Sequence, residues 1–122
     1  MDVEDIKTNE FINRAIEYKE SFNKAIRHNK GKLQWSLVDF EALEDLVRVL
    51  EFGAEKYKRD NWKKGLPVRE ICESMLRHTF AFLRGEDIDN ENGLPHTGHI
   101  LCNAMFLSHM AKRKEFDDRG KG

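Results

Sequence analysis

The chain has 122 residues, which suits one domain, and its 21 basic and 22 acidic residues leave no clustered basic surface for nucleic acid. No apolar run approaches the ~20 residues that span a bilayer, and the acidic, polar amino terminus differs from a signal peptide. The two isolated cysteines fit a reducing compartment, so we expect a cytoplasmic protein that binds neither membrane nor nucleic acid.

Apolar residues at spacings of three and four predict four helices and no strand. Thr8 or Asn9 caps the first helix, Ser36 and Asp39 form a capping box before the second, and a proline opens the third. The predicted helices span about residues 10–28, 37–58, 67–84 and 94–114.

These elements predict an all-α fold, a four-helix bundle that dimerises through its helices. We expect one domain over residues 1–122, with frayed tails at residues 1–8 and 115–122. Gly53 lies inside the second helix, where it costs about 0.5–1 kcal/mol relative to Ala. This predicts that another part of the protein approaches the backbone closely there.

The segment from Gly85 to Asn103 concentrates side chains that can bind metals. Six acidic or histidine residues fall within fourteen positions, and Pro95 begins a helix on which the histidines and Asn103 share one face. Each residue alone fits a solvated acidic loop or a polar helix surface. Together, carboxylates beside imidazoles are what a divalent-metal site requires. The six are Glu86, Asp87, Asp89, Glu91, His96 and His99.

Glu51 and Glu55, one turn apart on the second helix, form a second candidate set. Mg²⁺ favours one or two carboxylates plus substrate phosphates, whereas the alternative is a solvated face with helical ion pairs. In an up-down bundle this pair lies far from the loop at residues 85–93. Either the bundle is not simple, or a second subunit joins the groups, or one set is wrong.

Glu70 and Glu73 fit the spacing of a known signature, Glu-x-x-Glu followed by Glu-x-x-Asp. A helical rise of about 1.5 Å per residue puts Glu73 roughly 20 Å from Glu86, too far for one metal ion. We interpret the pair as first-turn carboxylates that favour the helix dipole.

Other residues suit a phosphorylated, aromatic ligand. Lysine holds phosphate as a point charge, and an aromatic ring stacks on a base for ~1–3 kcal/mol. Arg77 and His78 either lie at the edge of the core or act near a metal ion or phosphate. Trp62 either stacks on the base or covers the end of the bundle as a hydrophobic residue. The candidates are Lys32, Lys56, Tyr57, Asn61, Trp62, Arg77 and His78.

Five motifs occur in order: GKLQWSL, EFGAEKYKRDNW, RH, GEDID and GLPHTGH. Together they resemble the dATP/dGTP diphosphohydrolases (MazZ-like) of phages and bacteria, within the all-α MazG-like nucleoside triphosphate pyrophosphohydrolases. The resemblance implies a dimeric or tetrameric four-helix fold. It also implies hydrolysis of purine (d)NTPs to (d)NMP and pyrophosphate with Mg²⁺ or Mn²⁺.

The residues and the resemblance together predict the following roles. The catalytic residues are Glu51, Glu55, Glu86 and Asp89. The metal ligands are Glu51, Glu55, His78, Glu86 and Asp89. The substrate-binding residues are Lys32, Lys56, Tyr57, Asn61, Trp62, Arg77, His96 and His99. Since His96 and His99 replace Glu and Asp of the broader MazG pattern, the alternative is a helical bundle that binds nucleotide or a protein partner without hydrolysis.

Overall fold

The computed structural model describes residues 8–15 and 24–120. The chain divides into two compact units, residues 1–35 and 36–122, where the sequence predicts one domain. In the first unit residues 8–15 are helical and exposed, whereas residues 24–29 lie outside any helix. The predicted helix end at residue 28 is therefore wrong, and residues 16–23 lie outside the described part.

The second unit contains three α-helices: α1 (Glu44–Tyr57), α2 (Val68–Leu83) and α3 (His96–Ala111). Short 3₁₀ helices span Trp35–Leu37, Asn61–Lys64 and Lys114–Phe116. Within residues 8–15 and 24–120 there is no strand, only an isolated bridge between Ile88 and Pro95. The all-α class is confirmed, and none of the described helices is long and apolar enough to cross a membrane.

α1 begins seven residues later than predicted, so the capping-box prediction is wrong. The Asp39 carboxylate accepts a hydrogen bond from the Ala42 N–H at 3.2 Å, and Leu43 N–H donates to the Phe40 carbonyl. Asp39 therefore caps a turn that precedes the helix, and Leu43 is the residue at the helix start. By contrast, Pro67 and Pro95 directly precede α2 and α3, close to the predicted starts.

α3 packs against both other helices. It runs antiparallel to α2, because Asn103 bonds Ser74 while His96, earlier on α3, meets His78, later on α2. It runs parallel to α1, because Gly98 near its start packs on Asp45 near the start of α1. Beyond the end of α1, Trp62 stacks on Phe106, near the end of α3.

Gly98 lets α1 and α3 approach closely. A Cβ built at Gly98 would lie 2.8 Å from the Asp45 carbonyl oxygen, inside normal contact distance. A Cβ at Gly53 would meet nothing within 4 Å. Within the described residues nothing approaches Gly53, and the close approach of two helices lies at Gly98 instead.

A cluster of buried apolar residues lies at the end of α2 and α3 that is far from His78 and His96. Val68, Ile71 and Met110 are buried there, and Phe116 packs against them. The Asp118 carboxylate accepts a hydrogen bond from the Arg69 N–H at 2.9 Å, which satisfies a donor in the first turn of α2. Phe116 and Asp118 thus contact the helices, within the segment where the sequence predicts a frayed tail.

Candidate metal centre

The loop between α2 and α3 is folded rather than solvated. Backbone N–H groups of Asp89 and His96 donate to the carbonyls of Leu94 and Asp87, at 2.9 Å each. Gly85 and Gly93 supply the positive φ angles, +92° and +73°, at which the loop turns. The loop therefore returns Asp89 to the helices, where its side chain is only 13% exposed.

Asp89 meets two histidines that come from different helices. The Nδ1 atoms of His78 on α2 and His96 on α3 are 2.9 Å apart. Asp89 Oδ2 lies 3.8 Å from His78 Nδ1. One ligand atom from each of the three residues falls within 4.8 Å of the others, so this trio, named the His–Asp trio below, could hold a metal ion.

His99 completes the surroundings of the trio. Its ring stacks on His78 with a centroid distance of 4.3 Å and an interplanar angle of 6°. Its Nε2 lies 3.1 Å from Asn92 Oδ1 and 3.9 Å from Asp89 Oδ2. Asn92 therefore orients the ring from the loop, as outer partners orient metal-binding histidines.

Burial favours the neutral form of the His78 and His99 imidazoles. Loss of solvation lowers the pKa of His78 below its usual 6.5, and the neighbouring His99 lowers it further, against the opposing pull of Asp89. Loss of solvation likewise lowers the pKa of His99. A neutral imidazole has the free lone pair that metal binding requires.

Glu86 lies at the rim of the centre. Its carboxylate is 52% exposed, and Oε2 lies 4.0 Å from His96 Nε2 and 3.6 Å from Arg84. Glu86 is thus near enough to act on a group at the trio while it remains in contact with water.

Glu51 and Glu55 do not join the trio. Both are exposed on α1, and Glu51 lines a cavity of about 640 Å³ between α1 and α3. Gly98 packs beside Asp45, so the rise of a helix places Glu51 about 9 Å and Glu55 about 15 Å further along α1. The structure therefore separates the two carboxylate sets, as expected for an up-down bundle.

Three of the predicted substrate-binding residues line the same cavity: Tyr57, Asn61 and Trp62. The Trp62 ring stacks on Phe106 at 4.7 Å and meets His109 edge-on at 4.8 Å. These contacts match the alternative of a hydrophobic residue that covers the bundle end. Lys56 is exposed with its Nζ 5.1 Å from the centre of the Tyr57 ring, and Lys32 is exposed in the first unit.

A second, more polar cleft of about 480 Å³ lies between α2 and α3. Arg77 borders it, and its floor contains a hydrogen bond of 3.1 Å from the Asn103 amide to Ser74 Oγ. Ser74 and Asn92 are not among the site residues predicted from the sequence. Ser74 lies one turn before His78, and this helical spacing could have indicated it.

The segment that contains this centre has known relatives. A family model described as "dATP/dGTP diphosphohydrolase, N-terminal" matches residues 23–119. The chain belongs to this family. The resemblance based on the five motifs is thereby confirmed, and all residues of the trio lie inside the matched part of this dATP/dGTP diphosphohydrolase family member.

A dATP/dGTP diphosphohydrolase of Salmonella phage PMBT28 is 35% identical over 95 residues, which are 77% of this chain and 32% of that protein. FK506-binding protein 59 of Drosophila melanogaster is 24% identical over 106 residues, 87% of this chain and 23% of that protein. The chain thus spans a third or less of the length of these relatives. No solved structure matches it.

Proposed function

We propose that this chain hydrolyses purine deoxynucleoside triphosphates, dGTP and dATP, to the monophosphate and pyrophosphate with a divalent metal ion. The observation that carries the proposal is the His–Asp trio, which lies inside the segment shared with the dATP/dGTP diphosphohydrolase family. The phage relative, named dATP/dGTP diphosphohydrolase, is about three times as long as the matched segment. The proposal therefore includes the claim that this segment carries the reacting groups.

The donors of the trio fit a metal ion and favour Mn²⁺ over Mg²⁺. They are two imidazole nitrogens and one carboxylate oxygen, all part-buried or buried. Mg²⁺ takes oxygen ligands almost alone, whereas Mn²⁺ and the later transition metals accept imidazole as well. We therefore propose His78 and Asp89, both predicted as metal ligands, as ligands of the ion. We also propose His96, predicted to bind substrate, as the third metal ligand.

A bound ion at the trio would polarise the α-phosphoryl group and lower the pKa of a water molecule. The chain's own groups then have distinct tasks. Glu86, exposed at the rim, accepts the proton of the attacking water as general base. Arg77, which forms no ion pair within the described residues, offers its guanidinium to the outer phosphates.

We also propose that two or more copies assemble into a homodimer or homotetramer. Large apolar side chains of α1 are exposed, with Val47 at 46%, Phe52 at 39% and Tyr57 at 56%. A partner that covers this face would bury them. Such a partner is also the route by which Glu51 and Glu55 would reach a metal centre, namely that of another copy.

Product analysis tests the proposal. With dGTP or dATP and Mn²⁺, the wild-type chain should release pyrophosphate and monophosphate, and chelation of the metal should stop the reaction. Asp89→Asn and Glu86→Gln should each lower kcat by about 100-fold or more, since both remove a group that acts in the transition state, while Tm stays within a few degrees. Glu115→Gln, a change of an exposed carboxylate away from the trio, should retain full activity.

Release of orthophosphate alone, or no turnover of either nucleotide with any divalent metal, would contradict the proposed reaction. Full activity in both Asp89→Asn and Glu86→Gln would contradict the proposed location of the site.

A further inference from the structure

The polar cleft between α2 and α3 includes Arg77, which directly precedes His78 of the His–Asp trio in the sequence. Ser74 lies one turn before His78 on α2, and Asn103 lies one turn after His99 on α3. The stacked pair of His78 and His99 is therefore followed along the groove by the hydrogen-bonded pair of Ser74 and Asn103. A molecule that bound at the trio and extended between α2 and α3 would therefore meet Ser74 and Asn103.

The length of the cleft matches the nucleoside part of a nucleotide. Glu70 is eight residues before His78 and Phe106 is seven residues after His99, so the cleft ends about 10–12 Å from the trio along the helices. A phosphate at the trio places the sugar and base of the same nucleotide within this span. The volume of about 480 Å³ is in the range of small-molecule sites.

The lining residues supply several kinds of recognition. Arg77 borders the end near the trio, whereas Glu70 and Glu73, both exposed to solvent, line the α2 wall. Glu70 and Glu73 form no ion pair within the described residues, so both carboxylates are available as acceptors. The bond from Asn103 Nδ2 to Ser74 Oγ leaves the Asn103 carbonyl free to accept and the Ser74 hydroxyl free to donate.

From these observations, and on the basis of the function proposed above, we infer that the α2–α3 cleft binds the nucleoside, with Glu70 and Glu73 as the acceptors that read the purine base. Guanine presents its N1–H and 2-amino donors side by side, an arrangement that one carboxylate accepts with both oxygens. Adenine presents an acceptor at N1 and a single adjacent amino donor. The cleft therefore prefers bases with a 2-amino group.

In this assignment the base does not contact Tyr57 and Trp62, which the sequence predicted as substrate-binding residues. Those side chains line the cavity between α1 and α3, and Trp62 is already stacked on Phe106. No trio residue lines that cavity or the α2–α3 cleft, but the cleft includes Arg77, directly next to His78 in the sequence. The two sites share Leu66 and Phe106. Tyr57 lines only the cavity, whereas Glu70 and Glu73 line only the cleft, so substitutions at these residues distinguish the two sites.

The test compares dGTP with dITP, whose base differs only by the missing 2-amino group. In the wild type, kcat/KM for dGTP should exceed that for dITP by about 10-fold, because a site built to bind an N–H group rejects the analogue that lacks it. In the double variant Glu70→Gln/Glu73→Gln the ratio should fall towards 1. The double variant Glu41→Gln/Glu115→Gln, which changes two exposed carboxylates outside the cleft, should keep the wild-type ratio.

A ratio that is unchanged in Glu70→Gln/Glu73→Gln would overturn the inference, and so would a ratio lost in Tyr57→Ala instead. If the wild type hydrolyses no nucleotide, the proposed function fails but the cleft is still tested by calorimetry. The inference is supported if the dissociation constants for dGTP and dITP differ about 10-fold in the wild type but not in Glu70→Gln/Glu73→Gln. Equal constants in the wild type would overturn it.

Discussion

At the scale of single residues, protonation and metal binding compete at His78 and His99. Both imidazoles have pKa values lowered by burial, so the unfolded chain takes up their protons at a higher pH than the folded chain does. As the pH falls below about 6.5, the usual histidine pKa, protons bind the unfolded state preferentially. Folding stability and metal affinity should therefore both decrease on acidification.

We predict that the free energy of unfolding of the metal-free protein, measured in urea, decreases from pH 7.5 to pH 5.5. The decrease should be smaller in His78→Gln, because that variant lacks one of the groups with a lowered pKa. Equal stability of the wild type at the two pH values would contradict the burial of these imidazoles.

The sequence indicated the acidic loop and the histidines but assigned them different tasks. Spacing along one helix placed His96 and His99 on a common face. It could not show that His96 Nδ1 lies 2.9 Å from His78 Nδ1, since that distance depends on how α2 and α3 pack. Likewise, the folded loop that brings Asp89 to both helices depends on backbone bonds that no residue pattern reveals.

At the scale of helices, two glycines provide a matched comparison. Gly98→Ala should destabilise the protein by about 1–3 kcal/mol, because its Cβ would press against the Asp45 carbonyl where α1 meets α3. Gly53→Ala should stabilise it by about 0.5–1 kcal/mol, because a Cβ there enters open space on a helix. Urea denaturation of both variants measures the two signs, and a stabilised Gly98→Ala would contradict the described packing.

The segment after α3 gives a second prediction at this scale. Asp118→Ala should lower the free energy of unfolding by about 1 kcal/mol, the typical effect of removing a side chain that caps a helix start. Glu115→Ala, an exposed neighbour in the same segment, serves as the control and should change stability little. A segment that is frayed in solution would give no difference between the two variants.

Helix content was more predictable than helix ends. Apolar spacing and the prolines before α2 and α3 located those helices closely, because both signals act over a few residues. The late start of α1 follows from the turn closed by Asp39, which competes with a helix cap formed by the same residue types. The order at residues 115–119 depends on Phe116 packing against a distant core, which local polarity does not reveal.

At the scale of the whole molecule, the exposed apolar face of α1 predicts self-association. Sedimentation equilibrium of the wild type should give a mass of at least two chains, and Phe52→Glu should shift it towards one by placing a charge on that face. A monomeric wild type at tens of micromolar would contradict the predicted assembly.

The central claim is that the metal ion binds at His78, Asp89 and His96 rather than at Glu51 and Glu55. Titration with Co²⁺, a transition-metal probe, measures this directly through the visible absorption bands of the bound ion. We predict binding bands that are retained in Glu51→Gln/Glu55→Gln and abolished in Asp89→Asn/His96→Gln. Bands that persist without Asp89 and His96, or disappear without Glu51 and Glu55, would contradict the account.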